Sequence, residues 1–298
     1  MYDLSHIRYF KDKNIEILPN LYLNDNYPNC FLVKCEQNYF KIRTPSGYNN
    51  NAISCETYAL KMLYPILGDM IPQILESDCS KINKSYIVET FFPGKSLDKF
   101  SKKQIILNSN KIAEQLYKFM KSLYEIKANG HGELNNPLYS SYKEWLLDKI
   151  SYHISFHRKK KFISNEILDK IFTIIFETKI FDETPSHFLH FDIKPQNLIF
   201  DIYSQRLFVI DFEFSRFGDV EHELFRAEKK SYQYSVFMDE ILLPVIHQYR
   251  KAKDIRESKE KVYIYSLYYY LSELTYLLYY NKRSKAESQL HELTNQLD

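Results

Sequence analysis

Residues 188–211 constrain the fold most, because they interrupt a long helical stretch with two short apolar runs. The runs at 198–200 and 207–210 flank a polar turn, which predicts a β-hairpin. Just before the hairpin lies the polar run His190-Phe191-Asp192-Ile193-Lys194-Pro195-Gln196-Asn197, and Asp211 comes fourteen residues after Asn197. The polar run is therefore predicted to form a loop ahead of a strand, with Asp211 at the end of the next strand.

The spacing H-x-D-x-x-x-x-N followed by a strand-terminal aspartate is typical of kinase catalytic loops. Phosphoryl transfer from a nucleotide requires a proton acceptor beside the attacking hydroxyl and hard oxygen ligands for Mg²⁺. Asp192 is predicted to be the general base, and Asn197 and Asp211 are predicted to bind the metal. The alternative is a surface loop in which these residues only cap turns. In that case the predicted hairpin directly after the motif would be a coincidence.

Two further residues of this loop carry weaker predictions. His190 is expected to brace the catalytic loop by hydrogen bonding and not to transfer a proton. Lys194 has two open interpretations: a point charge that reaches the transferred phosphate, or a solvated loop lysine.

The periodicity of the chain divides it into two parts. Residues 1–91 alternate like strands at 15–22, 30–35 and 38–43, which predicts a three-stranded meander. Ser54 is predicted to cap a helix that runs to about Tyr64, and another strand is predicted at 86–91. Residues 92–298 are mostly helical, with apolar residues at helical spacing at 105–126, 142–156, 166–176, 231–253 and 257–280.

The predicted fold class is therefore α+β. It is a bilobal, protein-kinase-like fold, with a small antiparallel β-sheet and one helix in the N-lobe (1–91) and a larger, mostly helical C-lobe (92–298) that holds the catalytic loop.

A kinase also needs a cation for the nucleotide phosphates, held by a carboxylate from a helix. Lys41 is predicted to be this cation, paired with Glu56, which shares the inward stripe of its helix with Leu60 and Leu63. Arg43 lies on the same face of the strand as Lys41 and is the rival candidate.

The lobes are predicted to be connected just before Pro93-Gly94. Residues from Glu89 to Phe92 would form this connector, and its backbone groups, with Glu89 and Phe91 among the nucleotide-binding residues, can hydrogen-bond a purine edge. ATP and GTP are both open as the nucleotide.

Composition restricts the partners and the location. With 40 basic and 38 acidic residues, the chain has no strong net charge that would favour binding to a nucleic acid or a membrane. The cysteines Cys30, Cys35, Cys55 and Cys79 lack metal-binding or disulfide spacing, and the first ten residues lack a signal-peptide core. A cytoplasmic protein is therefore expected.

At these motifs the chain resembles the aminoglycoside phosphotransferase and choline kinase family, along nearly its whole length. The resemblance includes the strand of Lys41, the connector at 88–97, the run Gly130-His131-Gly132, the catalytic loop and Gly218-Asp219. It implies transfer of the γ-phosphate of a nucleotide to a hydroxyl group of a small molecule, such as an aminoglycoside or other antibiotic, a choline-like compound or a sugar. The loop at 24–29 departs from the family because it contains no glycine.

Two alternatives to a small-molecule kinase remain open. The run H-F-D-I-K-P-Q-N is equally close to protein Ser/Thr kinases, but Glu213 stands where their glycine follows and no A-P-E motif comes after it. A nucleotide-binding pseudokinase is disfavoured because every chemical position is filled. The acidic residues at 219–228 either suit a cationic acceptor or begin a solvated helix.

Overall fold

The computed structural model describes residues 7–11, 13–18, 30–44, 52–80, 85–251 and 255–297. The strands in this part of the chain are β1 (Ile15–Leu18), β2 (Cys30–Cys35), β3 (Asn38–Arg43), β4 (Ile74–Asp78), β5 (Tyr86–Thr90), β6 (Lys95–Ser96), β7 (Lys127–Ala128), β8 (His131–Glu133), β9 (Asn136–Tyr139), β10 (Ser186–Leu189), β11 (Leu198–Asp201), β12 (Arg206–Val209) and β13 (Arg216–Gly218). The α-helices are α1 (Ala52–Leu67), α2 (Lys102–Tyr124), α3 (Tyr142–Lys160), α4 (Asn165–Glu177), α5 (Val220–Ser231), α6 (Ser235–Phe237), α7 (Leu243–Arg250), α8 (Ile255–Tyr279) and α9 (Arg283–Leu297). Short 3-10 helices lie at Arg8–Phe10, Gly68–Met70, Leu97–Lys99 and Pro195–Asn197, and a π-helical segment at Met238–Leu242 joins α6 to α7.

The first sheet is antiparallel and has the strand order β1-β2-β3-β5-β4. One of its faces carries a small apolar core, in which Val33, Ile42 and Val88 pack with Ile7 and Phe10. Because side chains alternate along a strand, the neighbours of Ile42 on β3 face the other way, toward α1 and the rest of the molecule. The sheet thus presents polar side chains to the cleft.

The predicted meander of β1, β2 and β3 is confirmed where it is described. The end of the first predicted strand and the loop at 24–29 lie outside the described residues. β4 was not predicted, because the run Ile74–Asp78 has only two apolar residues; it pairs with β5 across a β-bulge.

The predicted start of α1 was wrong. Ser54 lies inside the helix, which already includes Ala52 and continues to Leu67. A serine can occupy a helix interior when tertiary contacts fix the helix, so its capping preference misplaced the boundary here.

The helical part is built around a second, larger core that includes Trp145, Phe188 and Leu271. The predicted helices at 105–126 and 142–156 are present as α2 and α3, and each begins at a capping box, formed by Ser101 and by Ser141. The helix predicted at 231–253 is present as α6, the π-helical segment and α7, from Ser235 to Arg250. α5 precedes it, is capped by Asp219 and begins at Val220, so helical structure starts eleven residues earlier than that prediction placed it. The shift matters because it leaves a very short connection after Asp211.

Two small sheets position the loop at 190–197. One has the order β7-β10-β13-β8-β9, and the other has the order β12-β11-β6. The predicted hairpin is confirmed as β11 and β12, paired from Leu198–Val209 to Asp201–Arg206. The loop therefore runs from the end of β10 to the start of β11, and Asp211 follows β12.

The α+β fold with two lobes is confirmed, with the first sheet and α1 on one side of a cleft and the mostly helical part on the other. Apart from the hairpin of β11 and β12, the strands of the small sheets were not predicted, because they are only two to four residues long and give little periodicity. Among the helices that the structure describes, none combines the length and the apolar character needed to cross a bilayer.

Candidate active site

The loop after β10 holds Asp192 and Asn197 against each other. The Asn197 side-chain amide donates hydrogen bonds to the Asp192 carboxylate and to the Asp192 backbone carbonyl, each at 2.9 Å. Both side chains are buried, and Asn197 ends the 3-10 turn that Pro195 begins. This turn returns the chain to the start of β11, so the five-residue spacing of the motif brings two polar groups to one point.

His190 lies beneath this loop and is fully buried. Its Nε2 is 3.0 Å from the Ile210 carbonyl, and its Nδ1 is 3.2 Å from the Asp192 backbone nitrogen. Burial lowers the pKa of His190, although the charge of Asp192 opposes this effect. A neutral ring that donates through Nε2 and accepts through Nδ1 satisfies both contacts, which is the bracing geometry that the sequence predicts.

Two lysines contact the Asp192 carboxylate. The Lys194 Nζ lies 2.6 Å from one oxygen, and the Lys230 Nζ contacts the other oxygen from the end of α5. Burial opposes ionisation of Asp192, but the charges of Lys230 and Lys194 outweigh it and lower the pKa of Asp192 to about 2. Asp192 is therefore an ionised carboxylate at neutral pH.

The backbone is strained at two positions of the site. Phe191 has a φ of 66° and Asp211 a φ of 72°, in the left-handed region that residues other than glycine seldom adopt. The buried Glu223 carboxylate accepts a hydrogen bond of 2.7 Å from the Phe191 backbone nitrogen and stabilises this conformation. Burial raises the pKa of Glu223 to about 7. Strain of this kind persists only where the surrounding structure enforces it, and it concentrates at functional sites.

Arg43 connects the first sheet to the strand-terminal Asp211. Its guanidinium contacts Glu56 on α1, lies 3.0 Å from an Asp211 oxygen and lies 3.0 Å from a Glu213 oxygen. Glu56 also accepts a hydrogen bond of 3.3 Å from the Phe212 backbone nitrogen. Arg43 and Glu56 therefore hold β3, α1 and the segment after β12 in one arrangement.

The predicted pairing of Lys41 with Glu56 is wrong, since Arg43, the rival candidate, takes that position. Lys41 lies directly across from Glu89 in the register of β3 and β5, and its Nζ is 2.8 Å from a Glu89 oxygen. This nearer carboxylate satisfies Lys41. Arg43 is two residues further along β3 and reaches α1 instead.

A cavity of about 360 Å³ lies between the first sheet and the hairpin of β11 and β12. The predicted site residues Lys41, Glu89, Phe91, Asn197 and Asp211 all line it, together with Arg43. Apolar side chains contribute as well, and Phe92 on its wall stacks on Phe208 at 4.2 Å between ring centroids. A cavity with apolar walls and a few convergent polar groups is typical of a small-molecule site.

The residues at the floor of the cavity fit a divalent metal. Asn197 supplies an amide oxygen and Asp211 a carboxylate, which are the hard ligands that Mg²⁺ prefers. Within the described ranges, no three His, Cys, Asp or Glu side chains are grouped to hold a metal. The donor set therefore suits an ion that takes its remaining ligands from water and phosphate.

The acidic residues at 219–228 do not line an acceptor pocket. Asp219, Glu221 and Glu223 are buried, and each has a partner within the protein. Asp219 caps α5 and pairs with Lys261, and Glu221 binds Arg250. These contacts overturn the use of this segment as the argument for a cationic acceptor.

Lys230 and Glu213 belong to the site and were not singled out from the sequence. Lys230 is thirty-eight residues from Asp192 in the sequence, and no local sequence pattern predicts a contact at that separation. Glu213 could have been predicted to lie near the site, because it is two residues beyond Asp211.

A carboxylate held by an asparagine, a second aspartate at the end of a hairpin and an Arg–Glu pair across a cleft are together typical of a kinase-type phosphotransferase site. The family model described as "Phosphotransferase enzyme family" matches residues 38–254. The chain belongs to that family. A comparison with curated protein sequences found no match.

Solved structures of aminoglycoside phosphotransferases share the fold. The gentamicin complex of APH(2")-IIa has a TM-score of 0.67 at 17% identity, with 99% of this chain and 97% of that chain covered. The ADP-bound aminoglycoside phosphotransferase APH(2'')-Ib has a TM-score of 0.62 at 17% identity, with 97% and 95% covered. A ternary complex of a thermostable APH(4)-Ia mutant with ADP and hygromycin B has a TM-score of 0.67 at 12% identity, with 98% of each chain covered. The protein-kinase-like fold and the family resemblance are thus confirmed.

Proposed function

We propose that this protein is a kinase that transfers the γ-phosphate of ATP or GTP, with Mg²⁺, to a hydroxyl group of a small molecule. One observation carries the proposal: the Asn197 amide holds the Asp192 carboxylate at 2.9 Å, while Asn197 itself lines the cavity beside Asp211. The group that would accept a proton is therefore adjacent to the groups that would hold the metal.

Asp192 is proposed to accept the proton of the acceptor hydroxyl. An ionised carboxylate held by Asn197 can orient the hydroxyl and receive its proton as the oxygen attacks phosphorus. General-base action of this kind contributes roughly 10² to 10⁴ in rate. Lys194, beside Asp192, would stabilise negative charge on the transferred group as a point charge, and His190 would keep the loop in place.

Arg43 is proposed as the cation for the nucleotide phosphates, with Glu56 as the carboxylate that positions it. A guanidinium presents several donors in a fixed plane, which suits phosphate oxygens. Asn197 and Asp211 would hold Mg²⁺, which neutralises phosphate charge when it is bound. Structures of the neighbours contain ATP or ADP, and another neighbour is a GDP complex, which supports nucleotide use by this fold.

The nucleotide is proposed to bind between residues 1–91 and residues 92–298. Both parts supply cavity walls, Lys41 and Glu89 from the first and Asn197 and Asp211 from the second. Backbone groups near Glu89 and Phe91 would meet the base. The charge balance and cysteine usage support a cytoplasmic protein with no nucleic-acid or membrane partner.

A small acceptor fits this site better than a peptide. Only seven residues separate Asp211 from the α5 cap Asp219, and three of them form β13. A protein kinase uses a longer segment here to support an extended peptide. The pseudokinase alternative is weaker still, because Asp192, Asn197 and Asp211 are all present and converge.

A nucleotide-consumption screen tests the proposal. Purified protein with Mg²⁺ and ATP or GTP is offered hydroxylated small molecules, including sugars, choline-like alcohols and aminoglycosides or other antibiotics, and, separately, Ser/Thr peptides. We expect saturable consumption with at least one small molecule, product phosphorylation by mass spectrometry, and no peptide phosphorylation. Saturable peptide phosphorylation unmatched by any small acceptor would instead assign the protein to the protein kinases.

A further inference from the structure

Four cations lie around Asp192 and Phe191 of the catalytic loop. Lys194, Arg216, Arg226 and Lys230 are referred to below as the basic cluster. Lys194 and Lys230 share the two oxygens of Asp192. The guanidinium carbons of Arg216 and Arg226 lie 4.2 Å and 4.3 Å from the centroid of the Phe191 ring. The cluster is thus built around the catalytic loop itself, from β13, α5 and the loop.

The basic cluster has more positive charge than its carboxylate neighbours neutralise. Among the described residues, no Asp or Glu forms an ion pair with Arg216 or Arg226, and Arg226 uses its Nε to bind the Phe191 carbonyl at 3.2 Å. Burial and then the charge of Arg216 lower the pKa of Arg226, and burial and then the charge of Arg226 lower the pKa of Lys230. Asp192 is therefore the carboxylate that two of the four cations contact directly.

The remaining nearby acids do not balance this charge. Glu213 is bound to Arg43, and Glu223 is occupied by the Phe191 backbone. Burial raises the pKa of Glu223 to about 7 and also raises the pKa of Glu273. Like charges held together at partial exposure favour an anion that can join them.

We propose that the acceptor carries an anionic group, a phosphate or a carboxylate, close to the hydroxyl that is phosphorylated, and that Lys230 and Arg226 bind this group. The inference rests on the proposed kinase function and specifies its acceptor. Lys230 is 29% exposed in its side chain and reaches the Asp192 oxygen from outside the loop. An acceptor anion can thus contact Lys230 without entering the nucleotide cavity.

The same contact explains how Asp192 becomes available. In the structure both of its oxygens are occupied by lysines. When an acceptor anion attracts Lys230, one Asp192 oxygen is free to accept the hydroxyl proton. The hydroxyl oxygen then forms a bond to the γ-phosphorus, the bond to the β–γ bridging oxygen breaks, and the nucleoside diphosphate leaves with that electron pair. Lys230 is therefore a specificity residue, which selects acceptors that carry an anionic group.

A matched pair of variants tests the proposal. Lys230→Met removes the proposed contact, and Lys229→Met removes the same charge from the preceding residue, whose Nζ lies over Phe225 and Tyr270 instead. Protein saturated with a non-hydrolysable nucleoside triphosphate analogue and Mg²⁺ is titrated calorimetrically with inorganic phosphate, glycerol 3-phosphate, glycerate and glycerol. The analogue fills the γ-phosphate position, so that added anions report on the acceptor side.

We expect at least one anion to bind, glycerol not to bind, and Lys230→Met to weaken anion binding by about 10-fold or more. Lys229→Met should bind like the wild type. The phosphate and glycerate titrations distinguish the two kinds of anion. No anion binding, or equal binding by both variants, would overturn the inference.

The acceptor screen separates failure of this inference from failure of the kinase proposal. Hydroxyl compounds with a phosphate or carboxylate should be consumed with a higher kcat/KM than neutral or cationic ones, and Lys230→Met should reduce that preference. Consumption of neutral or cationic compounds with a higher kcat/KM than anionic ones would overturn the inference of an anionic acceptor but would still support the kinase proposal. No consumption with any class would overturn the kinase proposal and this inference with it.

Discussion

Arg43 and Lys41 lie two residues apart on one face of β3, yet they meet different carboxylates. The sequence places both residues toward the cleft, since the alternation of a strand is a local property. It does not decide which one reaches Glu56, because that depends on where α1 crosses the sheet. Only the tertiary arrangement assigns Glu56 to Arg43 and Glu89 to Lys41.

Arg43→Met should weaken the binding of Mg·ATP or Mg·GTP by about 10-fold or more, because it removes a charged donor to phosphate. The affinity for the nucleoside without phosphates should change little. It should also cost about 3 kcal/mol of stability, since three carboxylates lose their partner. Calorimetric titration below the melting range of both proteins measures the affinities.

Lys41→Met is the matched control for this prediction, because it removes a cation from the same face of the same strand. A larger loss of triphosphate affinity in Lys41→Met than in Arg43→Met would return the phosphate role to Lys41.

Elements with strong local signals were predictable from the sequence. The hairpin of β11 and β12 follows from two apolar runs around a polar turn, and α2 begins at a capping box. β4 and α9 gave weaker signals: the first is a polar strand, and the second is a largely exposed helix. α5 begins at the Asp219 cap, as one of the two interpretations of the acidic run at 219–228 expected, but the acidic residues of its first turn are buried and not solvated.

The candidate site was predictable to the extent that it is a sequence motif. The proximity of Asp192 and Asn197 follows from their spacing in one loop. The contact of Lys230 with Asp192 arises because α5 packs beside the loop, and the burial of Glu221 and Glu223 arises from the same packing. Acidic residues that the sequence pattern would place on the surface are thus buried. The acceptor is therefore proposed to be anionic and not cationic.

Gly94 permits the close approach of β6 to β11 at the edge of the cavity. It has a φ of 113°, and a Cβ atom there would lie 2.7 Å from the Phe200 carbonyl oxygen. Gly94→Ala should therefore lower stability by about 1 to 3 kcal/mol and weaken nucleotide binding, because this segment lines the cavity. Thermal unfolding and nucleotide titration measure the two effects.

Gly68→Ala provides the control for the steric part of this effect. Gly68 also has a positive φ, of 56°, but a Cβ atom there would meet nothing within 4 Å. This variant should lose only the smaller conformational term, about 1 kcal/mol, and keep its nucleotide affinity. Equal losses in the two alanine variants would show that the approach to Phe200 is not a constraint.

The whole molecule separates two tasks across one cleft. The first sheet and α1 position Arg43 through Glu56, and the hairpin with its preceding loop positions Asp192, Asn197 and Asp211. Arg43 joins the two sides through its contact with Asp211. Nucleotide binding is accordingly expected to depend on both sides, whereas proton acceptance depends on Asp192 alone.

Asp192→Asn provides the most direct test, because asparagine keeps the size of the side chain and one acceptor oxygen but removes the charge and the capacity to accept the proton. We predict that this variant remains folded, binds Mg·nucleotide with wild-type affinity, and turns over the best acceptor from the screen at least about 10²-fold more slowly. Turnover is measured at saturating nucleotide, so that a change in kcat reports on the chemical step. Near-normal kcat in Asp192→Asn would contradict the account, because the carboxylate around which the site is arranged would then not be the base.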